Sequence, residues 1–189
     1  ADLVDNDYVL VLEGSALRPQ YQRFRMLGFG LNVGSGKFLW KGEAAFYAGK
    51  GFTTTDYTAE PDGVTEREVL ATALGFDYTS AANDQITLEA SNHHIRDWQA
   101  SLLNTRKNSG NVLLSWSRNF LSETLTPEYA LGWEPNDGDS LHQVQLSYNW
   151  SDALTLKFGG LTILAEKDTT AFGRFKTLRQ MQTQVHGVF

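Results

Sequence analysis

From Val144 to Trp150 the chain alternates: Val144, Leu146, Tyr148 and Trp150 are separated by Gln145, Ser147 and Asn149. After the polar break at 151 to 153 the rhythm resumes with Leu154, Leu156 and Phe158 around Thr155 and Lys157. A period of two gives a strand one apolar face and one polar face. The same pattern predicts about ten strands along the chain, over 8 to 17, 21 to 34, 38 to 51, 67 to 80, 85 to 98, 110 to 122, 125 to 135, 140 to 151, 153 to 165 and 180 to 189. No helical period survives beyond two turns. No linker, low-complexity tract or repeat longer than the hairpin unit divides the chain, so residues 1 to 189 read as one domain.

The connections alternate in length. Segments at 34 to 37, 80 to 84, 122 to 126 and 151 to 153 are tight polar turns, whereas 52 to 66, 99 to 109 and 166 to 179 are long and polar. Short and long connections therefore fall on opposite rims, as in outer-membrane barrels with periplasmic turns and termini. Aromatics on the apolar face sort by height in the same way. Tyr8, Phe38, Trp40, Phe76, Tyr78, Trp116, Phe120, Tyr148, Trp150 and Phe189 lie toward the short-turn rim, and Phe46, Tyr129 and Trp133 toward the other. Leucines such as Leu27, Leu31, Leu74, Leu114 and Leu146 occupy the depth between them. Two belts of rings with aliphatics between match a lipid slab, whose interfaces favour Trp and Tyr. A soluble barrel inverts the pattern, with its apolar face inside. Alternation alone does not separate the two arrangements, and the belts and loop asymmetry favour the membrane. The expected fold is all-β: an antiparallel up-and-down transmembrane β-barrel of about ten strands, or ten strands of a larger one.

Composition narrows the partners. The net charge of −6 and the lack of any basic run argue against nucleic-acid binding. The absence of cysteine excludes a disulfide framework, a thiolate metal site and a cysteine nucleophile, and fits passage through an oxidising compartment. No window approaches the length of an apolar spanning helix, and Ala1 reads as a processed terminus.

Several segments carry a family resemblance: FLWKGEAAFYAGKGF (38 to 52), LGFDYTS (74 to 80), LTPEYALGW (125 to 133), NDGDSLHQVQLSYNWSDALTLKFGG (136 to 160) and GRFK (173 to 176). In this order they resemble the C-terminal half of a largely uncharacterised family of Gram-negative outer-membrane barrels. Its members often accompany RND-type exporters and a LolA-like periplasmic carrier. The resemblance implies export or trafficking of lipidic or other hydrophobic compounds, with the carrier or exporter as a partner. Gly187 stands in the last strand where an aromatic is more usual in the family.

Candidate chemistry is sparse. Lys41, Glu43, Asp77, Glu89, Glu128, Lys157 and His186 share the polar face and the short-turn half of their strands, and enclosed charges must pair or carry water. They form the expected polar plug or constriction, or a selectivity ring if the barrel is wide. Arg23 and Arg25 fall on the apolar face near the long-loop rim, where an interface arginine can meet lipopolysaccharide phosphates. Arg118 is expected at the opposite interface. Phe189, a terminal aromatic with Val185 and Met181 at alternate positions before it, resembles the signal read by barrel-assembly machinery.

His93 with Glu89 and Asp97 is the one acid-base arrangement on offer, while alternation separates His93 from His94 and so argues against a joint metal site. The acidic stretches EPDGVTERE (60 to 68) and NDGD (136 to 139) invite a calcium hypothesis, but they lack EF-hand spacing and read as solvated turns. The expectation is therefore a non-enzymatic outer-membrane protein, with no cofactor or metal, taking part in passage or export of a small or lipidic compound. Its partners are outer-membrane lipid and lipopolysaccharide. The alternatives are a rim-sited hydrolase and a structural or adhesive barrel.

Overall fold

The computed structural model describes residues 8 to 13, 16 to 170 and 172 to 187. Eleven strands account for most of them: β1 Tyr8–Glu13, β2 Ala16–Tyr21, β3 Arg25–Ser35, β4 Phe38–Thr53, β5 Val64–Thr79, β6 Asp84–Ile95, β7 Asn108–Arg118, β8 Leu125–Glu134, β9 Asp139–Ser151, β10 Leu154–Leu164 and β11 Arg179–Gly187. The described residues contain no α-helix, only a 3₁₀ turn at Gly173–Phe175. Strands β3 to β11 form one nine-stranded antiparallel sheet in sequence order, and β1 and β2 pair separately. The fold is thus all-β and up-and-down.

Two expectations are corrected. The strand read over 8 to 17 is two short strands, because the chain reverses between Glu13 and Ala16 and pairs Tyr8 with Tyr21. Val9 and Val11 are as apolar as Leu10 and Leu12, so no single face identified one strand there. Nor does the sheet close on itself as ten strands. Its edges are β3 and β11, and every described residue of both is exposed.

Contacts group the chain into two units. The first comprises 1 to 31, 43 to 73 and 92 to 109 and holds a small core. Val69, Ile95 and Leu102 are buried there, with Tyr47, Phe52 and Trp98 against them. The long connections are stitched into this core rather than left loose: Thr54 bridges Leu102, and the Trp98 Nε1–H donates to Thr105 Oγ1 at 3.1 Å. The stretch EPDGVTERE is packed as well. Val64 and Thr65 are buried, and Thr65 Oγ1 donates to Glu60 Oε1 at 3.0 Å.

The second unit comprises 32 to 42, 74 to 91 and 110 to 189. In it Leu146 lies opposite Phe158 and Tyr148 opposite Leu156, so the apolar rows of β9 and β10 share a face. The two rhythms stay in phase across the polar break because the register shifts between Leu154 and Thr155, leaving Trp150 without an opposite residue. One extra residue in one strand is a β-bulge, and it re-aims the side chain it carries. Trp150 is 68% exposed and meets Tyr148 edge-on at 6.1 Å.

Candidate functional site

The polar face of the second unit is built by register. Glu128 lies opposite Gln145, which lies opposite Gly159, which lies opposite Gln182. One step along, Ser147 is opposite Lys157 and Lys157 opposite Gln184; beyond it Thr155 is opposite His186. Antiparallel pairing puts directly opposed residues on one face, so a period-two polar pattern on successive strands becomes a polar sheet surface. The Gln145 Nε2–H donates to Glu128 Oε2 at 2.6 Å. A pocket of about 280 Å³ opens here, lined by Gln85, Thr87, Ser115, Glu128, Gln143 and Gln145 among others. Amides, hydroxyls and one carboxylate can hold water or a polar solute by hydrogen bonds.

Of the seven charged residues expected on this face, the structure joins two directly. Lys41 Nζ lies 2.8 Å from Asp77 Oδ2, and the Thr87 hydroxyl donates to Asp77 Oδ1 at 2.8 Å. Glu128 binds Gln145, as above. Lys157 and His186 occupy neighbouring rows on β10 and β11. Glu43 is exposed on β4 and Glu89 is half-buried on β6. Among the described residues neither joins another member of the group by a hydrogen bond or ion pair.

Arg25 begins β3 and Arg23 precedes it, both exposed. Arg118 ends β7 with its guanidinium 3.7 Å from Asp84 Oδ1 and 4.8 Å over the Phe120 ring. The Trp116 Nε1–H donates to the same Asp84 at 3.3 Å. Phe38, Trp40, Phe76 and Tyr78 meet at the same short-turn end, with ring centroids 4.8 to 5.8 Å apart. Phe189 lies outside the described residues.

His93 and Glu89 are not joined by a hydrogen bond among the described residues, and His94 Nδ1 instead pairs with Asn108 Oδ1 at 2.7 Å. Asp97 sits in a left-handed turn with φ of 53°. Beyond β6, the Arg96 guanidinium binds Glu68 Oε2 at 2.7 Å, which holds its proton more tightly than usual.

Two groupings take their geometry from strand register rather than from sequence spacing. His142 is hydrogen-bonded through both ring nitrogens, Nδ1 to the Tyr129 hydroxyl at 2.8 Å and Nε2 to Ser140 Oγ at 3.0 Å. Leu131 faces His142 and Trp133 faces Ser140 across β8 and β9, a register that spacing alone does not disclose. The other grouping is the turn joining those strands, where one oxygen each of Glu134, Asp137 and Asp139 all lie within 4.8 Å of one another. The acidic residues were visible as ligand types, but their convergence depends on pairing Glu134 with Asp139. No family model, curated protein or solved structure matches the chain.

Proposed function

We propose that the chain is an outer-membrane β-barrel taking part in passage or export of a small or lipidic compound, with its apolar face toward lipid. The observation that carries this reading is the pair of rows on β9 and β10. Val144 is 54% exposed and Phe158 49%, with Leu146 exposed and Tyr148 and Leu156 half-buried in the same rows, while in the alternating polar rows Gln145, Ser147 and Lys157 are half-buried and Gln143 and Asn149 exposed. A contiguous exposed apolar surface requires a cover, and hydrocarbon is the cover that also accounts for rings clustered at one end of the strands. The family resemblance points the same way, toward partnership with a periplasmic lipid carrier or exporter.

In lipid, the exposed edges of β3 and β11 must be paired, because unsatisfied backbone groups have no water to turn to. The test is refolding into detergent followed by planar-bilayer recording. The expected result is a band whose gel migration changes on boiling, together with stepwise conductance. A chain that stays water-soluble and shows no heat-modifiable band overturns the barrel; a heat-modifiable chain without conductance overturns passage of a small solute.

A further inference from the structure

Strands β8 and β9 are joined by the turn Pro135-Asn136-Asp137-Gly138, and its geometry is constrained on three sides. The Gly138 N–H donates to Glu134 O at 2.9 Å, and Gly138 has φ of 75°, a left-handed conformation that glycine adopts without strain. The Gly110 N–H donates to Asn136 Oδ1 at 3.0 Å, tying the turn to β7. Glu134 and Asp139 close the turn as directly opposed residues. Like charges in that position repel.

Asp139 makes the arrangement untenable without a further partner. It is 0% exposed, and both of its carboxylate oxygens are buried with no hydrogen-bond partner. Glu134 and Asp137 have other contacts as well, which leaves Asp139 as the donor with none. A buried carboxylate lacking hydrogen bonds and a counter-charge is strongly disfavoured, and two further carboxylates beside it raise the penalty.

We propose that Glu134, Asp137 and Asp139 bind a calcium ion. The donors are all hard oxygens, with no nitrogen or sulfur among them, which suits calcium or magnesium over zinc or copper. One oxygen of each residue lies within 4.8 Å of the other two, so a single ion can be shared among them, and calcium accepts an irregular oxygen set where magnesium demands near-ideal octahedral geometry. The ion neutralises Asp139, removes the repulsion between Glu134 and Asp139, and locks the β8–β9 connection. Three protein carboxylates with water completing the shell place the affinity in the range of extracellular calcium modules, roughly 0.1 to 1 mM. The site does not depend on the membrane reading.

Trp133, next to Glu134, makes the binding readable by terbium luminescence excited through tryptophan. In the refolded full chain, terbium should produce one saturable signal that calcium displaces. Asp139→Asn should weaken terbium binding at least tenfold, and Asp137→Asn, which leaves both strands intact, should weaken it several-fold. Asp152→Asn, in the β9–β10 turn, should change nothing. Calcium should also raise the melting temperature of the parent chain and not of Asp139→Asn. Failure of calcium to displace terbium at about 10 mM, well above the affinities of such modules, overturns the site. So does an Asp137→Asn or Asp139→Asn chain that binds terbium like the parent.

Discussion

Gly75 has no room for a methyl group. A Cβ built there would stand 2.6 Å from Leu88 O and 3.2 Å from the Glu89 Cα, both on the neighbouring β6. Backbone atoms cannot swing aside as a side chain can, so Gly75→Ala must push the two strands apart. Overpacking of this kind costs about 1 to 3 kcal/mol. Gly132 is the control, since a Cβ there meets nothing within 4 Å. Gly132→Ala should change stability by less than about 0.5 kcal/mol, and urea unfolding of both variants measures the contrast. The Lys41–Asp77 pair is a different case. Both side chains are about a third exposed, so their attraction is worth under about 1 kcal/mol and serves chiefly to hold Asp77 toward Thr87.

At the scale of the element, β9 and β10 show how a rhythm survives an interruption. The bulge at Leu154 and Thr155 absorbs one residue, so Leu146, Tyr148, Leu156 and Phe158 remain on one face. If that face meets hydrocarbon, an arginine on it is penalised by about 2 to 4 kcal/mol near mid-depth, while one on the polar face is tolerated. Phe158→Arg should therefore sharply reduce folding into lipid vesicles, and Gln145→Arg should fold almost as well as the parent. Equal yields from the two variants would reverse the assignment of the faces. The hairpin of β1 and β2 shows the opposite outcome. Where Val9 and Val11 matched Leu10 and Leu12 in apolarity, alternation carried no information about faces, and one expected strand is two.

At the scale of the whole molecule, the nine-stranded sheet poses a problem of parity. In an up-and-down sheet, β3 and β11 run in the same direction, so joining them directly would make a parallel seam. An all-antiparallel barrel needs one more strand running opposite to both, consistent with the even strand numbers of bacterial barrels. Among the described residues only the strands β1 and β2 lie outside the sheet; joined as a hairpin they would bring the count to eleven, so one of them, not both, would have to enter the barrel wall. A chain lacking residues 1 to 21 should then lose the heat-modifiable band of the parent, as read on an unboiled gel. Retention of that band would assign the closing strand elsewhere.

The division between sequence and tertiary structure follows the range of the interactions. Strand existence from Phe38 onward, the order of tight and long connections and the sharing of a face by Val144, Leu146 and Tyr148 were legible locally, because alternation and turn chemistry act between near neighbours. The charged polar face was legible as a set of residues, and its actual contacts were not. Lys41 finds Asp77 because β4 lies beside β5, and the Tyr129–His142–Ser140 trio exists because β8 and β9 pair in one register. The long connections read as polar, yet Leu102 and Val64 are buried, since a loop residue's environment is set by what folds over it. NDGD read as a solvated turn, and only the folded chain takes Asp139 out of water opposite Glu134. Residue type announces that a carboxylate can bind a cation; burial and register, which are properties of pairs distant in sequence, decide whether it needs one.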